Sequence, residues 1–133
     1  MTEHPSKKTF LNNVIATAQA VTKTFSLFVA PYDCTVESVE YIPDASITGA
    51  NTDTRKVSVI NKGSAGAGTT EVAGLQFNSG VNATAFDSKA VTLSGTSANL
   101  NLTAGDVVSW KSEAVGNGLA DGGGLVRIVV AKR

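Results

Sequence analysis

Apolar and polar residues alternate one for one in short runs along this chain, and each run is cut off by a cluster of Gly, Ser, Thr, Asn or Asp. Period-two alternation puts every second side chain on one face of an extended strand, so such a chain buries an apolar face by forming sheets. The clearest run covers residues 21–29, where Phe25, Leu27 and Val29 share one face and Thr22, Thr24 and Ser26 the other. From Cys34 to Ile42 the inward set is Val36, Val39 and Tyr41, whose spacing breaks the alternation once and predicts a bulge near Glu37 and Ser38. Further strands are expected over 10–18, 54–61, 70–77, 89–93, at Leu100 and Leu102, over 107–113 and over 125–131. No stretch carries the 3.6-residue period of a helix.

About eight strands of ordinary length predict an all-β chain folded as a sandwich or barrel. The connections are uneven in length, which favours a jelly-roll-like antiparallel β-sandwich over a set of uniform hairpins. Internal repeats are absent, against a propeller or solenoid. A length of 133 residues suits one domain. Residues 1–8 are polar and charged and read as a flexible N-terminal arm, with the single sandwich domain over 9–133.

The charge balance narrows the partners. Eleven Lys plus Arg stand against eleven Asp plus Glu, and no basic run exceeds Lys7-Lys8, so nucleic acid is not an expected partner. A chain without net charge does not repel its own copies, which permits homo-oligomers. Cys34 is the only cysteine and has no partner for an internal disulfide, which suits synthesis in a reducing cytoplasm. The N-terminal residues lack the apolar segment of a secretory signal, and no run is long enough to span a bilayer, so a soluble protein without membrane contact is expected. Without a secretory route, the sequons at Asn82 and Asn101 are chance matches.

Alternation also identifies the apolar residues that the core leaves over. If Phe25, Leu27 and Val29 point inward, Phe28 points outward, and if Val57 and Val59 are inside, Ile60 is outside. By the same rule Val107 lies opposite Val108 and Trp110, and Leu125 and Val129 lie opposite Val126, Ile128 and Val130. Phe28, Ile60, Val107, Leu125 and Val129 are therefore the candidates for an oligomer interface. Burying all five would contribute about 10 kcal/mol before the cost of association.

The residues that carry chemistry elsewhere are scattered here. His4, the only histidine, lies in the arm with no second ligand or base nearby in sequence, and a solvated tail residue is expected. Cys34 beside Asp33 would need that distant histidine to act as a nucleophile, so a small buried strand residue is the better reading. Asp44, Asp53, Asp106 and Asp121 fall in loops without EF-hand spacing and read as turn formers. The glycines after Asp121 do not lead a strand into a helix, as a phosphate loop requires. Trp110, Tyr32 and Tyr41 offer a possible platform for sugar rings, but parity places Trp110 inside with Val108. No catalytic residue, metal ligand or cofactor site is expected, and the chain does not read as an enzyme.

Segments 25–31 (FSLFVAP), 34–43 (CTVESVEYIP) and 102–110 (LTAGDVVSW), in this strand order, resemble the head decoration, or capsid cement, proteins of tailed bacteriophages over residues 9–131. The resemblance implies a jelly-roll-like virion protein, often trimeric, bound to the outer capsid surface at local threefold positions where major capsid protein subunits meet. It would stabilise the contacts between those subunits mechanically. Lys7, Lys8 and Phe10 are then the candidates for reaching the capsid, while the outward apolar set builds the homo-oligomer. The alternative is a carbohydrate-binding jelly-roll module of a phage fibre or surface protein.

Overall fold

Ten strands carry the alternating segments of residues 6–133, the part of the chain that the computed structural model describes. They are β1 (Lys7–Val14), β2 (Lys23–Val29), β3 (Cys34–Pro43), β4 (Thr54–Asn61), β5 (Thr70–Gln76), β6 (Lys89–Ala90), β7 (Thr92–Leu93), β8 (Asn101–Leu102), β9 (Val107–Val115) and β10 (Gly124–Lys132). One 3-10 turn spans Ser97–Leu100. The first sheet runs β1-β10-β3-β6, with β8 also on β3, and the second runs β2-β9-β4-β5-β7. Every pairing is antiparallel. The chain passes from sheet to sheet between β1, β2, β3 and β4, and its last two strands insert next to its first two, the double Greek key of a jelly roll.

The core forms where the inward parities of the two sheets meet. Val36, Val39 and Tyr41 on β3, Val57 and Val59 on β4, Val108 and Trp110 on β9, and Val126, Ile128 and Val130 on β10 are all buried, as their alternation predicts. Tyr41 and Trp110 touch across the layers with ring centroids 5.1 Å apart. The bulge expected in β3 is there: Val129 of β10 faces Ser38 while Val130 faces Val36, which leaves Glu37 without a cross-strand partner.

Three expectations change. The run expected over 89–93 is divided between the sheets, with β6 on β3 and β7 on β5. Between them Val91 N–H donates to Val39 O, and Ser94 N–H donates to Val72 O, so this segment sews one edge of the sandwich shut. The first strand begins at Lys7, inside the expected arm, because Lys7 and Lys8 pair with Ala131 and Val130 of β10. Two polar lysines carry no alternation of their own, so the partner strand sets their conformation. Residues 1–5, and with them His4, lie outside the described residues.

The third change reverses a parity. A register shift between Ser26 and Phe28 leaves Leu27 without a partner, so Phe28 lies opposite the buried Val108 and Val29 opposite Val107. Past the bulge the faces exchange: Phe28 turns toward the core, and Val29 is 55% exposed.

Candidate functional site

Strand parity carries one charged side chain into the interior. Arg55 shares the inward parity of Val57 and Val59 and is fully buried. Its Nε donates to Leu119 O at 2.8 Å, Nη1 to Val21 O at 2.7 Å, and Nη2 to Ala18 O and Gln19 O, both at 2.9 Å. One guanidinium thus fixes the β1–β2 and β9–β10 loops together, and its rigid fork of donors suits that task. Nη1 also reaches Ser112 Oγ at 3.5 Å; that hydroxyl donates to Asp121 Oδ2 at 2.7 Å, and Tyr41 Oη donates to Asp121 Oδ1. Burial pulls the Arg55 pKa down, opposed by the Asp121 charge. Burial first, and then the Asp121 carboxylate, push the Tyr41 phenol well above the ordinary tyrosine value, which keeps it protonated as the donor.

This buried network underlies the end of the sandwich where the loops β1–β2, β3–β4, β5–β6 and β9–β10 gather. Gly123 has φ +77°, and a Cβ there would stand 2.5 Å from Val14 O, so only glycine lets the loop press against the end of β1. Gly123 O accepts from Asp44 N–H at 2.8 Å, and Pro43 O accepts from Phe86 N–H at 2.7 Å. Those backbone contacts run from the end of β1 through Gly123 and Pro43 to Phe86. On this end Ile15 is 63%, Val21 40% and Phe86 77% exposed. Phe86 holds φ +64°, a left-handed conformation that is unusual for a bulky residue.

The residues expected to reach a capsid sit on or beside β1. Lys7 pairs with Glu37 at 3.0 Å, Lys8 Nζ lies 5.4 Å from the Phe10 ring, and Phe10 stacks on Phe28 with centroids 3.8 Å apart. The Phe10–Phe28 stack closes the side of the sandwich between β1 and β2, where Asn12 Nδ2 donates to Leu27 O at 2.7 Å. Phe28 therefore belongs with Phe10, not with an outward set.

The other four members of that set divide between opposite faces. Leu125 and Val129 are half-buried on the outer face of the first sheet, near Ile42 and Leu11, around the Arg127–Glu40 ion pair. Ile60 and Val107 are half-buried on the outer face of the second sheet. Ile60 there lines a shallow depression of about 190 Å³ with Thr24, Lys62, Thr69, Ser109 and Lys111. The two pairs cannot join in one patch.

The chemistry-bearing residues are built into the frame. Cys34 is fully buried on β3, and burial pushes its thiol pKa up, away from a reactive thiolate. Asp53 Oδ1 accepts from Asn117 N–H, and Asp106 Oδ2 from Thr103 N–H and Asn61 Nδ2. Trp110 and Tyr41 have no exposed surface, so only the half-buried Tyr32, under Lys132, remains of the aromatic platform. Among the described residues, no three His, Cys, Asp or Glu side chains are grouped to hold a metal, and no helix is long and apolar enough to cross a membrane.

No family model matches the chain, and no curated protein matches it. Among solved structures it is similar to a chain in "Structure of infectious bursal disease virus Gx strain", with a TM-score of 0.42 and 12% identity over 96% of this chain. The chain spans 33% of the length of that one.

Proposed function

We propose that this chain is a structural virion protein that binds the outer surface of a phage capsid and stabilises contacts between major capsid protein subunits. The observation that carries the reading is the loop end, where Ile15, Val21 and Phe86 stand exposed above a buried clamp of Arg55, Ser112, Asp121 and Tyr41. Exposed apolar side chains on rigid loops suit docking, because little conformational entropy is lost when they are covered. Phe86 is the anchor of this surface. Lys7, Lys8 and Phe10 stand on β1, with Phe10 stacked on Phe28 and Lys7 paired with Glu37, and the loop end offers the shell the more exposed apolar surface. The full burial of Trp110 and Tyr41 favours this reading over a sugar-binding module.

Co-sedimentation of the purified chain with capsids that lack it tests the proposal. The wild type is expected to pellet with capsids, and Phe86→Asp to bind at least ~10-fold more weakly with an unchanged far-UV spectrum, as for an interface anchor. A wild type that stays in the supernatant defeats the reading. Undiminished binding by Phe86→Asp moves the docking surface elsewhere.

A further inference from the structure

The sheet edges are not equally protected. β6, β7 and β8 are two residues long, β5 is interrupted by a register shift between Glu71 and Ala73, and β2 is bulged at Leu27, whose carbonyl Asn12 has already taken. Short strands and bulges of this kind stop a sheet from adding foreign strands. β1 has none of these devices: it pairs with β10 over eight residues, Lys7 to Val14, without a shift, and contains no proline.

Its outward polar groups follow from one hydrogen bond. Lys132 N–H donates to Ser6 O, which makes Ser6 and Lys132 a hydrogen-bonded pair in the β1–β10 ladder. In an antiparallel ladder bonded and non-bonded pairs alternate, so Lys8, Phe10 and Asn12 turn their N–H and C=O groups to β10. Lys7, Thr9, Leu11 and Asn13 turn theirs to the open side.

We propose that β1 is a strand-addition edge whose partner is β1 of a second copy, paired antiparallel about a twofold axis at Phe10. This register places Lys7 opposite the partner's Asn13 and Thr9 opposite the partner's Leu11, and so uses all four outward-facing residues of each strand. It places Lys8 opposite the partner's Asn12, so no lysine faces a lysine, whereas a parallel pair in register would stack the lysines on one another. Phe10 meets the partner's Phe10, joining two Phe10–Phe28 stacks, and Leu11, 59% exposed, is covered in part by the partner's Thr9. A threefold ring built through this edge would need a second, complementary edge on each copy, and the remaining edges are short or bulged. The pairing stands independently of capsid binding.

Thr9→Pro tests it directly. Proline removes an N–H that points away from β10 and is tolerated at an edge position, so the monomer keeps its fold and loses the partner strand. By light scattering at roughly 100 μM, where a micromolar complex is filled, the wild type should show twice the 13.6 kDa chain mass and Thr9→Pro the single mass. If Thr9→Pro fails to fold, paired charge changes give the answer. Thr9→Lys with Leu11→Lys sets like charges opposite each other and should give the single mass; Thr9→Lys with Leu11→Glu sets opposite charges there and should restore twice that mass. A wild type of single mass overturns the proposal, as does an assembly that these variants leave intact or to which both charge pairs do the same.

Discussion

The two ends of the sandwich are turned by similar residues and held by different physics. At the end opposite Phe86, short polar side chains hold the turns near the surface: Asp106 Oδ2 accepts from Thr103 N–H within its own turn and from Asn61 Nδ2 at the end of β4, Asn61 Oδ1 accepts from Gly63 N–H, and Asp33 Oδ1 accepts from Ala104 N–H of another loop. At the Phe86 end, one buried arginine holds four backbone carbonyls of two loops, and a buried carboxylate takes the phenol of the sheet behind it. These surface bonds, some within a turn and some between loops, stay within reach of water. A buried, fully bonded charge ties separate loops into one unit, because releasing any of them strands a charge in a low-dielectric interior. Such a construction suits the docking role proposed for this end.

The strongest way to break this contrast is Arg55→Met, which keeps the bulk and removes the donors. It leaves four part-buried backbone carbonyls without their donor and empties the polar end of a fully buried side chain, and a loss of about 3–5 kcal/mol is expected in denaturant titration. A loss below about 1 kcal/mol would mean that the loops hold themselves.

Tyr41→Phe comes next, at about 1–3 kcal/mol near neutral pH, since it leaves one Asp121 oxygen short of a buried donor. Its pH dependence has a definite sign. The folded-state pKa of Tyr41 lies above the unfolded value of 10.0, so this contribution is complete below that value and is lost as pH rises beyond it, where only the unfolded phenol ionises. Alkaline denaturation curves of the wild type should therefore be steeper above about pH 10 than those of Tyr41→Phe. Parallel curves would show that the phenol is not confined. At the opposite end, Asp106→Ala should cost about 1 kcal/mol, the scale of a partly exposed cap, and leave the Phe86 end unchanged. Protection of the Gly63 amide from hydrogen exchange should fall there, and that of Gly123 should not.

Much of the frame was legible because period two is a strong signal. Val57, Val59, Val108, Trp110, Val126, Ile128 and Val130 are inside for the reason their spacing states, and the β3 bulge is visible as a break in spacing. The β2 bulge was not, because Phe25, Leu27 and Val29 alternate perfectly and only the partner strand imposes the shift that turns Phe28 inward. Arg55 was legible in principle. It shares the parity of Val57 and Val59, and an arginine on the inward face of a strand demands acceptors. Phe86 left no such trace, since its exposure and positive φ arise from how the β5–β6 loop rests on Pro43. Nor does local alternation say which sheet a strand joins, so an outward set drawn from several strands divided between two faces.

The smallest effect supplies the scale for the comparison. Glu40 and Arg127 form an ion pair on the outer face of the first sheet with Nη2 and Oε1 2.6 Å apart, the same kinds of group as Asp121 and Arg55 but in contact with water. The Ser88 hydroxyl, followed by Arg127, holds the Glu40 carboxyl below its ordinary value. A depressed carboxyl contributes stability above its unfolded pKa and loses it as pH falls through the folded one. Glu40→Gln should thus cost less than about 1 kcal/mol at neutral pH, and the difference should vanish once the wild-type carboxyl is protonated, below the ordinary carboxylate range. Half-molar salt should shrink it further, because solvent ions reach this pair. They do not reach Arg55. If salt and acid left the Glu40→Gln difference unchanged while eroding that of Arg55→Met, burial would not be what separates the two arginines, and the contrast between surface bonds and a clamped end would lose its physical basis.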